Sequence, residues 1–362
     1  MNLRSYLRKR LIPIAQKAAA DVHELRCIFF ELTRRCNLAC LHCGSDCTAD
    51  SQTSDLGAES VLKVLDEIRS RYDSHRVIVV LSGGEPLCYP GVFELGKKIT
   101  AREFPWGMVT NGYAWTPELV RAAQAANMAS ITVSLDGFEE DHDWLRGKKD
   151  SFRRATRAIE LLVRNPCYRK MDVVTCVNRR NLARIDELYE YVKRLGVSSW
   201  RIFTISPIGR ALNNPELVLT GPEFRRLFEK IKEMRSKNEI GVTYSESGYL
   251  GHEFETAVRD QPFFCQAGIS VAGIMINGDI CACPNIDRRF AQGNLAKDSF
   301  VDVWENRYRI FRDRSWMRQG DCTRCGEWRL CRGNSFHLLD PDTQGTRICY
   351  YNLLASRRDQ SV

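Results

Sequence analysis

The segment Cys36-Asn37-Leu38-Ala39-Cys40-Leu41-His42-Cys43 constrains this chain more than any other stretch, because it packs three thiols into one short loop with three and then two residues between them. The apolar run Cys27-Ile28-Phe29-Phe30-Glu31-Leu32 precedes it and reads as a buried strand, so the thiols stand on a loop at a strand end. Thiolates placed this way fold around one corner of a cubane. A [4Fe-4S] cluster takes four thiolates, and this spacing supplies three, which leaves one iron open to a ligand that is not protein. Part of a zinc site is the alternative reading, with Cys47 as a rival ligand. Zinc, however, favours C-x2-4-C pairs that a second distant pair closes at four ligands.

With 362 residues the chain has room for one large domain and a smaller one. No apolar run approaches the roughly 20 residues that cross a bilayer. Arg4, Arg8, Lys9 and Arg10 precede only the short stretch Leu11-Ile12-Pro13-Ile14, which is not a signal-peptide core. The expectation is a cytoplasmic protein. Fifteen cysteines in a reducing compartment point to metal or cluster ligation and away from disulfides. Cys36, Cys40, Cys43 and Cys47 gather near the start and Cys265, Cys281, Cys283, Cys322, Cys325, Cys331 and Cys349 near the end, while Cys27, Cys88, Cys167 and Cys176 read as packed thiols. The formal charge of +8 would suit nucleic acid, but the basic residues are interleaved with acidic ones and form no aromatic-basic stripe, so nucleic acid is not expected as a partner.

Residues 1–26 read as a helix with Leu3, Leu7 and Leu11 on one stripe, packed on the outside or bottom of the domain that follows. Beyond the cysteine loop, helical spacing over 58–70, 117–126, 151–164, 182–195 and 224–234 alternates with strand patterns over 77–81, 130–135, 171–177 and 199–205. Thr220-Gly221-Pro222-Glu223 is a helix start signal. Such alternation means parallel βα units of the α/β class, which carry their chemistry on the loops at the carboxyl ends of the strands. Those loops read Ser82-Gly83-Gly84-Glu85-Pro86, Val109-Thr110-Asn111-Gly112, Ser134-Leu135-Asp136-Gly137 and Ser206-Pro207-Ile208-Gly209-Arg210-Ala211. Asn-Gly and Asp-Gly are also ordinary turn pairs.

In this order, the cysteine loop and the strand-end strings resemble the radical S-adenosylmethionine (SAM) superfamily. That resemblance implies a partial (β/α)6 barrel of parallel strands over 27–240, preceded by the helical segment 1–26. It implies that the open iron on Cys36, Cys40 and Cys43 chelates SAM and that an electron from the cluster splits it to a 5'-deoxyadenosyl radical. Gly83, Gly84 and Glu85 would hold the methionine amino group, Ser134 and Asp136 would lie near the ribose, Ile208 would touch the adenine, and His42 would stand where relatives place an aromatic ring. No residue is assigned as catalytic acid or base.

The composition changes from Cys265, where Cys265-x12-Gly278-x4-Cys283 carries an Asn277-Gly278 turn suited to a hairpin. Cys322-x2-Cys325-x5-Cys331 and a remote Cys349 follow. This arrangement resembles the SPASM domain of sulfatase maturases and peptide-modifying enzymes, here over 241–354 with a tail at 355–362. The resemblance implies an auxiliary [4Fe-4S] cluster on Cys322, Cys325, Cys331 and Cys349. A second auxiliary cluster would use Cys265 and Cys283, perhaps with Cys281. Members that carry it place one more cysteine beyond the match to Cys331, where this chain has Ser335. A structural zinc knot on Cys281, Cys283, Cys322 and Cys325 is the alternative.

The expected function is hydrogen abstraction from a peptide or protein side chain. A small-molecule substrate and a non-catalytic cluster or zinc scaffold are the other readings. The strings Cys40 to Cys47 and Cys331 to Leu338 resemble a branch that matures a small lipoprotein. Flavodoxin or ferredoxin is the expected reductant. Tyr244 and Glu246 read first as ordinary polar loop residues and second as substrate contacts.

Overall fold

Strands β1 (Cys27–Thr33), β2 (Ile78–Gly83), β3 (Trp106–Thr110), β4 (Ser130–Ser134), β5 (Lys170–Val177), β6 (Ser199–Thr204) and β7 (Gly241–Tyr244) lie side by side in chain order, every neighbouring pair parallel. The structure, a computed structural model, describes residues 3–166 and 168–355, so Cys167 and nearly all of the 355–362 tail lie outside it. Helices Ala58–Arg71, Val92–Thr100, Pro117–Ala125, Ser151–Arg164, Ile185–Arg194 and Gly221–Lys237 connect the strands. The periodicity predicts these alternating elements except helix Val92–Thr100 and strand β7.

Local chemistry explains their limits. Helix Ala58–Arg71 buries Val61, Val64, Leu65 and Ile68, one face of a 3.6-residue repeat. Thr116 caps helix Pro117–Ala125 by accepting from the Leu119 N–H, and Thr220 with Glu223 forms a capping box at the start of Gly221–Lys237. The helix predicted over 182–195 is broken into Arg179–Leu182 and Ile185–Arg194, because Asn178 and Asn181 close a separate capping box on the first turn. Between helices and sheet the core includes Trp106 and Trp200, both fully buried, whose indole N–H groups reach Ala126 C=O at 3.0 Å and Thr175 Oγ1 at 2.8 Å. Each buried Val, Leu, Ile or Phe around them contributes roughly 1.5–3 kcal/mol.

The sheet reaches further than the six strands read from the sequence. On the far side of β1, strand β8 (Val271–Ile274) adds in parallel, followed by β9 (Asp279–Cys281) and β10 (Gly293–Asn294), both antiparallel to their neighbours. The Asn277-Gly278 turn joins β8 to β9, with Gly278 at φ +84° as such a hairpin requires. The cysteine-rich end of the chain therefore continues the barrel wall, and β1 sits between β2 and β8 in an open sheet edged by β7 and β10.

Glu31 binds the two parts together. It lies on β1 at 1% exposure, and its Oε2 accepts from the Ile276 N–H and from Arg288 Nη2, both at 3.0 Å. The N-terminal helix Leu3–Val22 packs differently from the expectation. Leu11 and Ile14 face outward, and Gln16 is buried and donates to Leu330 C=O at 2.8 Å, so this helix docks on the late cysteine region. Of the predicted stripe, Leu11 stands outward while Gln16 takes the inward face, and the side chains of Leu3 and Leu7 lie outside the described residues. Tyr244 is buried on β7 with its hydroxyl 2.7 Å from Thr204 Oγ1, a packed residue with no exposed face for substrate. Cys27, Cys88 and Cys176 are thiols whose pKa burial pushes up.

Glu31→Ala leaves the Ile276 N–H and Arg288 without their acceptor. The expected loss is about 1–3 kcal/mol in urea unfolding, with Glu31→Gln recovering part of it.

Candidate active site

The carboxyl end of β1 runs directly into the cysteine loop, and the neighbouring strand ends clamp it. On one flank Ala39 N–H donates to Arg146 C=O (3.2 Å) and Leu41 N–H to Leu145 C=O (2.9 Å). On the other, Arg210 donates three times into the loop: its N–H to Cys43 C=O (2.9 Å), its Nε to Cys40 C=O (2.8 Å) and its Nη1 to Cys47 C=O (3.0 Å). Gly209, at φ +54°, permits this approach, since a Cβ there would lie 2.4 Å from the Cys43 oxygen.

Cys36, Cys40, Cys43, His42, Gly83, Gly84, Glu85 and Ser134 line one cavity of about 230 Å³, joined by Cys47, Asn111, Arg146 and Arg210. The two glycines are needed for packing as well as access. A Cβ on Gly83 would meet Thr33 O at 2.3 Å and one on Gly84 would meet Arg35 O at 2.2 Å, so β2 can end against the root of the cysteine loop only without side chains. Glu85 is buried, and its carboxylate accepts from Thr110 Oγ1 (2.7 Å) and Asn111 N–H (2.8 Å). Burial raises its pKa, and those hydrogen bonds oppose the rise. His42 is kept neutral, pushed down to about 4 by burial and by nearby Arg146, and its buried Nδ1 has no hydrogen-bond partner in the protein.

Each sulfur of the triad has its own donor. Asn111 Nδ2 stands 3.8 Å from Cys36 Sγ, and Arg146 Nη1 stands 3.7 Å from Cys40 Sγ. Burial pushes the Cys36 thiol up to about 12 and also raises Cys40, whose rise Arg146 opposes. Cys43 is lowered to about 5, chiefly because the Cys47 thiol donates to it. Among the described residues no three or more His, Cys, Asp or Glu side chains converge on a single-ion position. The three thiols line one cavity, and hydrogen-bond donors face the sulfurs of Cys36 and Cys40.

Two predicted residues stand elsewhere. Asp136 is wholly buried behind the cavity wall, with Oδ2 taken by Arg146 at 2.6 Å and Oδ1 by the Cys176 N–H at 2.8 Å. Burial works against its charge, but Arg146, His42 and His142 outweigh it and hold the carboxyl below its usual range. Asp136 thus orients Arg146 toward Cys40. Ile208 lies in a second cavity of about 240 Å³, which shares Gly44 and Ser45 with the first and is also lined by Pro284 and His337. Arg146 and Arg210 carry no motif of their own that singles them out, although Arg210 stands in the Pro-x-Gly-Arg string.

In the C-terminal part, Cys322, Cys325, Cys331 and Cys349 share one neighbourhood. Burial comes first in raising Cys322, Cys331 and Cys349, and each is raised further by the charge of others in the set. The Asn334 N–H points at Cys331 Sγ from 3.2 Å. Cys265 and Cys283 are neighbours as well, and Ser335 Oγ lies 3.7 Å from Cys265 Sγ. Ser335 is also engaged with His337 Nδ1 at 2.8 Å, and His337 Nε2 pairs with Glu246 at 2.9 Å.

Comparison with known proteins agrees with this geometry. The radical SAM superfamily matches residues 30–206, and the SPASM iron-sulfur cluster-binding domain matches residues 265–326. The mycofactocin maturase MftC of Mycolicibacterium smegmatis is 31% identical over 312 residues, covering 85% of this chain and 77% of that protein. The chain belongs to the radical SAM superfamily. Another relative, the AdoMet-dependent heme synthase of Methanosarcina barkeri, is 28% identical over 333 residues, covering 85% of this chain and 90% of its own. Among solved structures, anSMEcpe with bound AdoMet superposes with a TM-score of 0.71 at 17% identity over 92% of this chain and 95% of that one. Streptococcus suis SuiB bound to S-adenosylmethionine gives 0.68 at 18% identity over 87% and 75%. As a radical SAM enzyme with a SPASM domain, the protein uses a SAM-binding [4Fe-4S] cluster, SAM and auxiliary iron-sulfur clustering.

Arg146→Met strands the Asp136 carboxylate in the interior. The expected cost is roughly 3–5 kcal/mol in chemical denaturation. The depressed Asp136 pKa implies that its contribution is complete above an ordinary carboxylate pKa of about 3.9 and is lost as pH falls through the lower folded value. Acid unfolding followed by circular dichroism therefore shows a limb below about pH 4 in the native protein that Asp136→Asn removes.

Proposed function

We propose that this radical SAM enzyme is a peptide maturase in which Cys36, Cys40 and Cys43 hold the SAM-binding cluster. The observation that carries the reading is the convergence of three hydrogen-bonded thiols, a backbone-accessible glycine pair, a buried carboxylate and a neutral imidazole face on one cavity. When bound, the cluster and SAM supply a 5'-deoxyadenosyl radical that takes a hydrogen atom from the substrate. The chain's own work is placement. Arg146 and Asn111 face the Cys40 and Cys36 sulfurs that would hold the cluster, Arg210 keeps the loop folded, and Glu85 would offer its remaining lone pairs to an ammonium group. His42 presents a flat uncharged face with an unsatisfied nitrogen, and Ser134 offers a hydroxyl to a sugar. Cys322, Cys325, Cys331 and Cys349 hold one auxiliary cluster. At Cys265 and Cys283 the hydroxyl of Ser335, already bonded to His337, stands in for a further thiol, so no second auxiliary cluster forms there.

The second cavity, floored by Ile208 and roofed by Pro284 and His337, is the substrate entry. This cavity of about 240 Å³ meets the cofactor cavity at Gly44 and Ser45, where a side chain presented on a peptide would reach it. The names of MftC and of the subtilosin biosynthesis protein AlbA point the same way. The second reading, a haem precursor as substrate, is favoured by the extent of the match to the heme synthases. No helix among the described residues is long and apolar enough to cross a membrane, and the many reduced thiols suit the cytoplasm.

Anaerobic reconstitution is expected to load about eight irons, four per cubane, and to confer SAM cleavage under dithionite. Cys36→Ala, Cys40→Ala or Cys43→Ala abolishes cleavage, whereas Cys322→Ala with Cys325→Ala removes about four irons and leaves the SAM-binding cluster. About twelve irons would place a further cluster at Cys265 and Cys283, and zinc in place of iron at the first triad would overturn the assignment. Mass spectrometry after turnover with a precursor peptide or a haem precursor decides the substrate class, a change confined to the latter overturning the maturase reading.

A further inference from the structure

The proposed chemistry needs one electron delivered to the cysteine loop, and between Cys36 and Cys43 the exposed residue of that loop is Ala39. Gly147, at φ +66°, packs so closely on it that a Cβ would lie 2.6 Å from the Ala39 oxygen. Lys148 and Lys149 follow directly. Lys148 Nζ donates to Asn37 C=O at 3.0 Å and lies 4.4 Å above the Tyr113 ring, while the Arg154 guanidinium lies 4.6 Å from the same ring. Tyr113 N–H in turn donates to Asn111 Oδ1 at 2.9 Å, and Asn111 Nδ2 reaches toward Cys36 Sγ. A continuous path of bonded groups therefore joins a basic surface to the first cluster ligand.

The face has charge to spare. Helix Ser151–Arg164 presents Arg153, Arg154 and Arg157, all exposed, beside Lys149 and around a cavity of about 510 Å³ that Tyr113 and Trp115 also line. Its carboxylates are taken, Asp150 by Arg153 and Glu118 by Arg121. Among the described residues, no carboxylate lies within ion-pair distance of Lys149, Arg154 or Arg157. We propose that Lys148, Lys149, Arg154 and Arg157 around Tyr113 form the docking surface for an acidic one-electron carrier protein, with Tyr113 and Asn111 lying between the docked carrier and Cys36. The transfer moves one electron: the carrier is oxidised, the cluster is reduced, and no proton or bond changes hands. Complementary charge steers such encounters and raises their rate. A nucleic acid fits less well, because stacking needs a free ring face and Tyr113 has cations over it. The substrate cavity shares no lining residue with this face, so a substrate peptide is not its natural occupant.

The inference rests on the cluster assignment to Cys36, Cys40 and Cys43, and the test separates the two. Reconstituted enzyme and the variant Lys149→Glu/Arg154→Glu/Arg157→Glu are compared with reduced flavodoxin and with dithionite as electron source. The expected result is a fall of about tenfold or more in flavodoxin-driven SAM cleavage at low salt, with a flatter salt dependence. Titration with oxidised flavodoxin, which needs no turnover, is expected to show affinity weakened about tenfold. Dithionite-driven cleavage, iron content and melting temperature stay at native levels. Unchanged flavodoxin affinity and rate would overturn the docking surface, as would a parallel fall with dithionite or a defect confined to binding of precursor peptide. Native enzyme that binds flavodoxin through this face yet cleaves no SAM with dithionite would overturn the proposed function and leave the docking surface standing.

Discussion

Two guanidinium groups hold the cysteine loop in shape, and the rest of the site depends on them. The loop buries Leu38 and packs Leu41 on a small apolar cluster, and polar ties fix the rest of its course. Arg210 ties three of its carbonyl oxygens from one flank, while Arg146, fixed by the buried Asp136 carboxylate, faces the Cys40 sulfur from the other. Burying a charge is costly unless it is paired, so the Asp136–Arg146 pair is a rigid anchor that spares the loop from ordering itself. Positive charge beside the sulfurs also favours thiolates over thiols, which is the form a metal requires.

The same economy places the C-terminal part. Strand β1 delivers the cysteine loop and also carries Glu31, whose buried carboxylate has its partners in residues 276 and 288. With β8 added along the free edge of β1, the cysteine-rich segment becomes part of the wall that surrounds the site. The two cavities meet at Gly44 and Ser45 of the cysteine loop. The Glu246–His337–Ser335 chain stands where a further thiol would complete an additional cluster in relatives. That position is held in a connected set of hydrogen bonds.

Much of this was legible in the residues alone. Short β-branched runs alternating with amphipathic helices specify parallel βα units, since period and length are local properties, and the predicted spans lie close to the observed ones. The triad, the Gly83-Gly84-Glu85 string and Ser134 line one cavity because strand ends in a parallel sheet all open on the same side. Where the reading went astray, the cause was a tertiary partner that no periodic pattern announces. Leu11 turned outward because Gln16 found the Leu330 carbonyl, and Asp136 turned away from the cavity because Arg146 and the Cys176 N–H took both its oxygens.

Thiol spacing and strand-helix period, both short-range features, sufficed to state the class of fold and the kind of cofactor. Pairings across long stretches of chain decided the rest: which guanidinium faces which sulfur, which edge of the sheet the late cysteines join, and which face of the loop meets solvent. A hydrogen bond or ion pair between residues a hundred positions apart leaves no periodic trace, because its energy depends on where folding brings the two groups and not on how the chain is written.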